Sequence, residues 1–282
     1  MRDQADELRN MMLRVARQHA ALHGPPPKLV VLCGGKGGVG VTTLGVNLAV
    51  ALAHQAARVV LVDADLYRAD VALLCGIEET SSVAHLLSGG LDIHEILERG
   101  PAGIQVVPGV WAPQQPAELG EGAQRRLVAQ LCLLGRHADV VIIDTGSGTG
   151  ESLRRFWQAA DEVLLVTTPD DVAVMDAYAS IKTRLPAQNR PRMRLIVNRA
   201  SAPQQAADVH RRLHQSCRRF LDAEVSLLGR VTDDRAFAAA ARACVPLVIH
   251  APHAAAAEEI ECLASEWMTM LGQPTRAPSA VA

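Results

Sequence analysis

The sequence predicts an α/β domain in which helices cover both faces of a mostly parallel central sheet. Three observations predict it. Short runs rich in Val, Ile and Leu alternate with helical patterns along most of the chain, as in parallel sheets connected by helices. These runs are apolar at nearly every position, which is typical of strands buried on both faces. A glycine-rich loop lies between the first run and the first helical pattern, in the strand–loop–helix order of a phosphate-binding site.

Seven apolar runs are predicted as strands, because each is short, apolar and rich in β-branched residues. In chain order they are Leu29–Cys33, Val59–Asp63, Ile104–Val107, Val140–Asp144, Val163–Thr167, Leu195–Asn198 and Leu247–His250. Four longer stretches place apolar residues at helical spacing. They are Thr42–His54, Ala123–Leu134, Ala173–Arg184 and Ala254–Leu271.

The composition suits one large domain. The chain has 282 residues, of which 49% are hydrophobic and 21% charged, enough to bury a sizeable core. A net charge of −2 gives no overall attraction to nucleic acid or anionic membranes. No apolar run approaches the ~20 residues that span a bilayer, and the six cysteines stand singly, without a C-x-x-C pair. Free thiols in a reducing cytosol are therefore favoured, and we expect a cytoplasmic protein.

Both ends of the chain are predicted to lie outside this domain. Residues 1–24 place apolar residues at helical spacing, and the three prolines of residues 25–27 follow them. Successive prolines favour an extended, semi-rigid spacer. We therefore predict an N-terminal partner-binding helix (1–24), a proline linker (25–27), a main domain (28–272) and a disordered tail (273–282).

The loop after the first strand has the features of a phosphate-binding loop. Gly35 and Gly40 stand at the required separation, and glycines allow backbone N–H groups to converge on phosphate oxygens. The following helix adds the positive end of its dipole, and Thr42 stands where a hydroxyl group binds Mg²⁺. Lys36 is one of only three lysines in the chain, which makes its place in a glycine loop informative.

Two predicted strands end in aspartates. One reaches Asp63 and continues to Asp65, and the other ends at Asp144. The carboxyl ends of strands line the ligand crevice of an open α/β sheet. Carboxylates there hold Mg²⁺ directly or through water, and they orient an attacking water molecule. The alternative for Asp65 and Asp144 is an ordinary helix-capping or loop role.

The loop containing Lys36 resembles the deviant Walker A motif of the MinD/ParA family of P-loop ATPases, which has an additional lysine early in the loop. The resemblance covers roughly residues 28–250 and extends in particular to the FlhG group (also FleN or YlxH), which regulates flagellar number. The stretches that carry it further are Asp144–Gly148, Val166–Asp170, Asp176–Lys182 and Leu228–Asp234. It implies the P-loop NTPase fold, ATP or ADP with Mg²⁺, and a homodimer that forms with ATP.

The resemblance also implies roles for single residues. The expected catalytic residues are Lys36, which would reach the partner subunit's nucleotide, Asp65 at the position associated with hydrolysis, and Asp144 as the Walker B carboxylate. The expected metal ligands are Thr42, Asp63 and Asp144. The residues expected to contact nucleotide are Gly35, Lys36, Gly37, Gly38, Val39, Gly40, Val41, Thr42, Thr43 and, as the reader of adenine, Asn198. A strand-closing role is the alternative for Asn198.

Val41 departs from the family pattern. It stands where most members have the lysine that bridges the β- and γ-phosphates. A slow ATPase of the FlhG kind therefore competes with a weak or inactive ATPase that acts in polar localisation or as a scaffold, as in CpaE/TadZ proteins. A Min-type division regulator is the third possibility.

The start of the chain resembles the D-Q-A-x-x-L-R element with which FlhG proteins activate the signal-recognition-type GTPase FlhF. The matching residues are Asp3, Gln4, Ala5, Leu8 and Arg9. The resemblance therefore implies an FlhF-like GTPase as a partner. The alternative is a helix that docks on its own domain.

The remaining surfaces give weaker indications. The last predicted helix carries acidic residues beside its apolar face, so we expect it to pack on the core instead of targeting a membrane. Arginines cluster in residues 190–194 and 211–219 without interleaved aromatic residues, and a solvated helix face is favoured over a DNA-binding surface. The expected location is cytoplasmic, with the cell pole as an option within the family.

Overall fold

A computed structural model describes residues 25–65, 68–78, 82–87, 91–109, 121–147, 151–188 and 190–271. The predicted N-terminal helix and C-terminal tail lie outside these residues, so the division into segments stays a prediction. Within the described ranges, no helix is long and apolar enough to cross a membrane.

The described chain alternates strands and helices. The strands are β1 (Lys28–Gly34), β2 (Val59–Asp63), β3 (Glu98–Arg99), β4 (Gln105–Val107), β5 (Val140–Asp144), β6 (Glu162–Thr167), β7 (Arg192–Asn198) and β8 (Val225–Val231). The helices are α1 (Val41–His54), α2 (Val71–Leu74), α3 (Val83–Leu87), α4 (Glu121–Cys132), α5 (Glu151–Ala159), α6 (Asp171–Arg184), α7 (Pro203–Leu221), α8 (Ala236–Arg242), α9 (Leu247–His250) and α10 (Ala255–Leu271).

The strands form one eight-stranded sheet in the order β3-β4-β2-β5-β1-β6-β7-β8. All pairs are parallel except β3 with β4. The register places Asp63 directly beside Asp144. This mostly parallel arrangement confirms the predicted fold class, and it brings the carboxyl ends of β1, β2 and β5 together at one edge.

Helices cover both faces of the sheet, as predicted. Along β1, Leu29 and Val31 pack into the core formed with α4, α5, α6 and α7. Val30 and Leu32 pack into the opposite core, formed with α1, α8, α9 and α10. Because successive strand residues point to opposite faces, a continuous apolar run supplies both cores.

The predicted strand Leu247–His250 is wrong, because these residues form the short helix α9. A run of four apolar residues does not distinguish a strand from a buried helical turn. The preceding Pro246 stands at the helix start, and the Val248 N–H donates to Asn47 Oδ1 at 3.0 Å. The prediction also missed β8, whose mixed burial hides it from a search for apolar runs, and the two-residue strand β3.

Helix α10 packs on the core, which confirms the interpretation of its apolar face. Ile260, Leu263 and Trp267 are buried. Trp267 Nε1 donates to Glu162 Oε1 at 2.7 Å, and the same oxygen accepts from Arg194 Nε at 2.7 Å. Burial raises the pKa of Glu162 even though both donors favour its ionised form. The end of α10 is thereby attached to the start of β6.

Candidate functional site

The glycine loop connects the end of β1 to the first turn of α1. The Leu44 N–H donates to the Gly40 carbonyl at 2.9 Å, so the helix begins directly after the loop. A Cβ atom at Gly35 would lie 2.2 Å from the backbone carbon of Asp176, a separation that atoms do not tolerate. Only glycine therefore allows the loop to lie against α6.

Asn198 supports this loop from the end of β7. Its Nδ2 donates to the Val39 carbonyl at 2.8 Å, and its Oδ1 accepts from the Arg199 N–H at 3.0 Å. Asn198 is 5% exposed. The structure thus places Asn198 against the loop, and its role as a reader of adenine stays a prediction.

Val41 faces the protein interior. It is 6% exposed and belongs to the core beneath α1. A Cβ atom at Gly34 would lie 2.8 Å from Val41 Cγ2, so the valine side chain folds back against the start of the loop. The methyl groups of this side chain cannot donate hydrogen bonds to phosphate oxygens.

Lys36 forms a loose ion pair within its own chain. Its Nζ lies 4.0 Å from Asp170 Oδ1, with the two side chains 46% and 54% exposed. Asp170 also caps α6 by accepting from the Ala173 N–H at 2.9 Å. That backbone hydrogen bond is the main cause of the lowered pKa of Asp170, with Lys36 as a lesser one. An exposed pair of this kind contributes little to stability, so Lys36 is held only weakly.

Asp144 is the most deeply buried carboxylate of the site. Its Oδ1 accepts from the Gly146 N–H at 2.9 Å, whereas Oδ2 has no hydrogen-bond partner among the described residues. Burial raises the pKa of Asp144 to about 6, against the opposing effects of Gly146 and of the Thr42 hydroxyl. The Thr42 hydroxyl therefore lies close enough to stabilise the ionised carboxylate of Asp144, although it does not hydrogen-bond to Oδ2.

Asp63 and Asp65 organise the segment after β2. Asp63 Oδ1 accepts from the Asp65 N–H at 3.2 Å, and Oδ2 accepts from the Val71 N–H at 3.1 Å. Burial, followed by the nearby Asp144, raises the pKa of Asp63 well above its ordinary range. Asp65 lies against Gly146, whose φ is +58° and whose missing Cβ would lie 2.0 Å from Asp65 Oδ2.

The residues around Asp144 fit a magnesium ion. Among the described residues, no three His, Cys, Asp or Glu side chains form a ready-made metal site. Mg²⁺ does not require one, because it commonly uses one or two protein oxygens together with waters and phosphates. The unpartnered Asp144 Oδ2 beside Thr42 supplies such oxygens. Both Asp63 oxygens already accept backbone hydrogen bonds, so Asp63 is better placed to orient this region than to bind the ion.

A narrow apolar cleft opens beside the first turns of α1. Thr43 and Asn47 of α1, Phe237 of α8 and Pro246 line it. Sequence reasoning missed Phe237, since only the folded chain brings α8 to the start of α1.

The arginine clusters are largely engaged in contacts within the chain. Arg194 pairs with Glu162 and Arg218 with Glu224, each at 2.7 Å. Arg212 pairs with Asp171 of α6 at 2.8 Å. Arg212 and Arg218 lie exposed on α7, as expected for a solvated helix face. The expectation is wrong for Arg194, which lies on strand β7 with a side chain that is 12% exposed. The expected partner-binding residues from Asp3 to Arg9 lie outside the described residues.

The sequence profile of the ParA family, described as NUBPL iron-transfer P-loop NTPase, matches residues 27–268. The chain belongs to the ParA/MinD family of P-loop NTPases. Two relatives are similar over most of the chain. The antiactivator FleN of Pseudomonas aeruginosa is 34% identical over 77% of this chain and 77% of its own. The flagellum site-determining protein YlxH of Helicobacter pylori is 30% identical over 76% of this chain and 72% of its own.

Solved structures of the ParA/MinD family share the fold. The septum site-determining protein MinD of Pyrococcus horikoshii, complexed with Mg-ADP, has a TM-score of 0.73 and 22% identity, and covers 87% of this chain and 98% of its own. The predicted membership of the ParA/MinD family and the predicted similarity to FleN and FlhG are therefore confirmed. The assignment of single site residues stays a prediction.

Proposed function

We propose that this ParA/MinD protein binds Mg²⁺-ATP, hydrolyses it slowly, and regulates the number or position of flagella in the manner of FlhG. The observation that carries the nucleotide proposal is the unpartnered, buried Asp144 Oδ2 beside Thr42. A buried carboxylate oxygen without a partner is costly, and a bound cation would offset that cost. The relatives FleN and YlxH support the flagellar role.

In this proposal the chain's own residues bind and orient the nucleotide. The N–H groups of the glycine loop and of the first turn of α1 would receive the phosphates. Thr42 and Asp144 would hold Mg²⁺, which neutralises charge on the β- and γ-phosphates when it is bound. Asp65 would orient the attacking water, and its contact with Gly146 would link that water to the loop after β5.

Lys36 would act in an ATP-dependent homodimer. Its side chain is half exposed, and its ion pair within the part of the chain that the structure describes is the loose contact with Asp170. Reaching toward a second subunit would therefore cost little stability. Val41 is buried and uncharged, so Lys36 is the lysine of the loop that could contact a phosphate group. Turnover should therefore depend on protein concentration, because the cation would come from the partner subunit.

The partner in this proposal is an FlhF-like GTPase, which would bind residues 1–24. The proposal rests on the D-Q-A-x-x-L-R resemblance at Asp3 to Arg9. Deletion of residues 1–24 should abolish capture of FlhF from the same cell, whereas a variant that carries only Arg9→Ala should weaken it. Capture that survives the deletion would place the contact elsewhere.

A second candidate function is that of a weak or inactive ATPase that serves as a localisation scaffold. The burial of Val41 against the start of the loop favours it, because the usual bridging cation is missing. Iron transfer, named in the description of the family profile, gains no support from the sequence, since none of the six cysteines forms a C-x-x-C pair.

Calorimetric titration with Mg²⁺-ADP and Mg²⁺-ATP, together with steady-state phosphate release, separates these functions. We expect both nucleotides to bind, and we expect phosphate release per subunit to rise with protein concentration. Asp144→Asn is the matched control, because it keeps the shape and removes the charge. Binding without any turnover would favour the scaffold, and a complete lack of binding would contradict both nucleotide proposals.

A further inference from the structure

Helix α10 contacts the loop after β8 and, through Arg230, the loop after β7, as well as the core. These loops, around Ala200 and Thr232, form one rim of the crevice at the carboxyl ends of the strands. Glu259, in the second turn of α10, makes two contacts with the segment that ends β8. Its Oε2 accepts from the Thr232 N–H at 2.6 Å, and its Oε1 pairs with Arg230 Nη2 at 2.8 Å. The Arg230 and Glu259 side chains are 25% and 24% exposed, so water screens this pair only in part.

Arg230 extends the connection from α10 to the loop after β7. Its Nη1 donates to the Ala200 carbonyl at 3.1 Å, and the Ala200 N–H donates to the Val231 carbonyl at 3.1 Å. Next to Ala200, Arg199 has a φ of +56°, and its N–H is held by Asn198 Oδ1. The two crevice loops are thereby fixed to each other and to α10.

The same connection reaches the phosphate loop. Asn198 Nδ2 donates to the Val39 carbonyl, so a continuous series of contacts runs from Val39 through Asn198 and Arg230 to Glu259. Asp234 adds a parallel contact, since it accepts from the Ala236 N–H at 2.9 Å and from the Ala256 N–H at 3.4 Å. It therefore joins the start of α8 to the start of α10.

This rim is the side on which a nucleoside would lie. Asp63 and Asp144 occupy the crevice on the β2 and β5 side of the phosphate loop. The opposite side of the phosphate loop lies toward β7 and β8, and there Asn198, the predicted reader of adenine, donates to the Val39 carbonyl. In the proposed function a nucleoside therefore lies on this side, away from the carboxylates that would hold Mg²⁺.

We propose that Glu259 is a positioning residue that holds the base-side rim of the nucleotide site, so that the seating of α10 and nucleotide binding are coupled. This inference rests on the proposed nucleotide function. It adds that α10 affects binding through the nucleoside and not through the phosphates. By linkage, bound nucleotide must stabilise the first turns of α10 to the same extent as the seated helix favours nucleotide.

The test compares three variants of the full chain. Glu259→Gln keeps the size but replaces one carboxylate oxygen with an NH₂ group. The Thr232 N–H and Arg230 contact different oxygens of Glu259, so one of the two donors loses its acceptor. Glu258→Gln is the matched control, because Glu258 lies on the same helix and is exposed. Trp267→Phe removes the hydrogen bond to Glu162 and loosens α10 at its far end. This variant therefore shows how nucleotide binding responds to a general loss of stability.

Each variant is titrated with Mg²⁺-ADP and, by competition, with inorganic pyrophosphate, which lacks the nucleoside. We expect Glu259→Gln to weaken ADP binding about 5- to 10-fold, at the lower end of ordinary coupling, and to leave pyrophosphate binding unchanged. Glu258→Gln should change neither, and Trp267→Phe should lower Tm without this selective loss. In hydrogen exchange, ADP should protect residues 255–262 in the wild type but not in Glu259→Gln.

The outcomes separate the inference from the function beneath it. If the wild type binds neither ligand, the proposed nucleotide function fails. If the wild type binds ADP, the inference is overturned by unchanged ADP affinity in Glu259→Gln, by an equal loss for both ligands, or by an equal effect of Trp267→Phe.

Discussion

Replacing Asp144 with asparagine should stabilise the nucleotide-free protein while abolishing Mg²⁺-nucleotide binding. The amide oxygen can still accept from the Gly146 N–H, which now lies 2.9 Å from Oδ1. What the substitution removes is a buried negative charge whose second oxygen has no hydrogen-bond partner among the described residues. A stability gain coupled to a functional loss is typical of sites built for a ligand.

The magnitude follows from the pKa of Asp144. Burial raises it from the ordinary 3.8 to about 6. At about 1.36 kcal/mol per pKa unit, the ionised carboxylate lowers the free energy of unfolding by at most roughly 3 kcal/mol. Because the folded-state pKa lies above the unfolded one, the folded protein is favoured at low pH. It loses that stability as the pH rises from about 4 to about 6. Asparagine does not titrate, so its advantage should be complete at pH 7.5 and nearly absent at pH 4.

Urea denaturation with EDTA and without nucleotide, at both pH values, measures this difference. Asp139→Asn is the control, because Asp139 lies just before the same strand but its pKa is lowered, chiefly by the hydrogen bond from Arg58. Removing the negative charge of Asp139 should therefore destabilise the protein at pH 7.5. If Asp144→Asn is less stable than the wild type at pH 7.5, or if its advantage is the same at both pH values, the burial argument is wrong.

Three further predictions concern the loop and the N-terminus. Val41→Lys should lower the Tm of the free protein, since a buried valine contributes at least about 1.5 kcal/mol. It should also tighten ATP binding by roughly 10- to 150-fold, the worth of a hydrogen bond from a charged group. Val41→Met is the control and should not tighten it. If Val41→Lys leaves ATP affinity and turnover unchanged, the scaffold function is favoured. Lys36→Ala should change the free energy of unfolding by no more than about 0.5 kcal/mol, as for an exposed ion pair, but it should weaken ATP-dependent dimerisation in light scattering. A dimer of unchanged strength would contradict the proposed role of Lys36. Deletion of residues 1–24 should leave Tm nearly unchanged if these residues act only on a partner, and a large drop would indicate that they pack on their own domain.

The phosphate loop could be predicted because its chemistry is local. The glycines, Thr42 and the following helix occupy consecutive positions, so the sequence alone indicates which backbone groups converge. The same holds for Asp144, since an apolar run that ends in an aspartate predicts a carboxylate at the edge of a parallel sheet. The short run Leu247–His250 shows the limit of this reasoning, because its apolar residues fit a strand and a helical turn equally well.

What the sequence by itself determined is the fold class, the buried strands β1, β2 and β4 to β7, and the family. Only the tertiary structure decided that Val41 turns into the core, that Lys36 lies near Asp170, and that Glu259 contacts Arg230 and Thr232. The physical reason is separation along the chain. Lys36 and Asp170, like Asn198 and Val39, meet only after the sheet has formed, and no periodicity within a short segment encodes which distant side chain will be opposite.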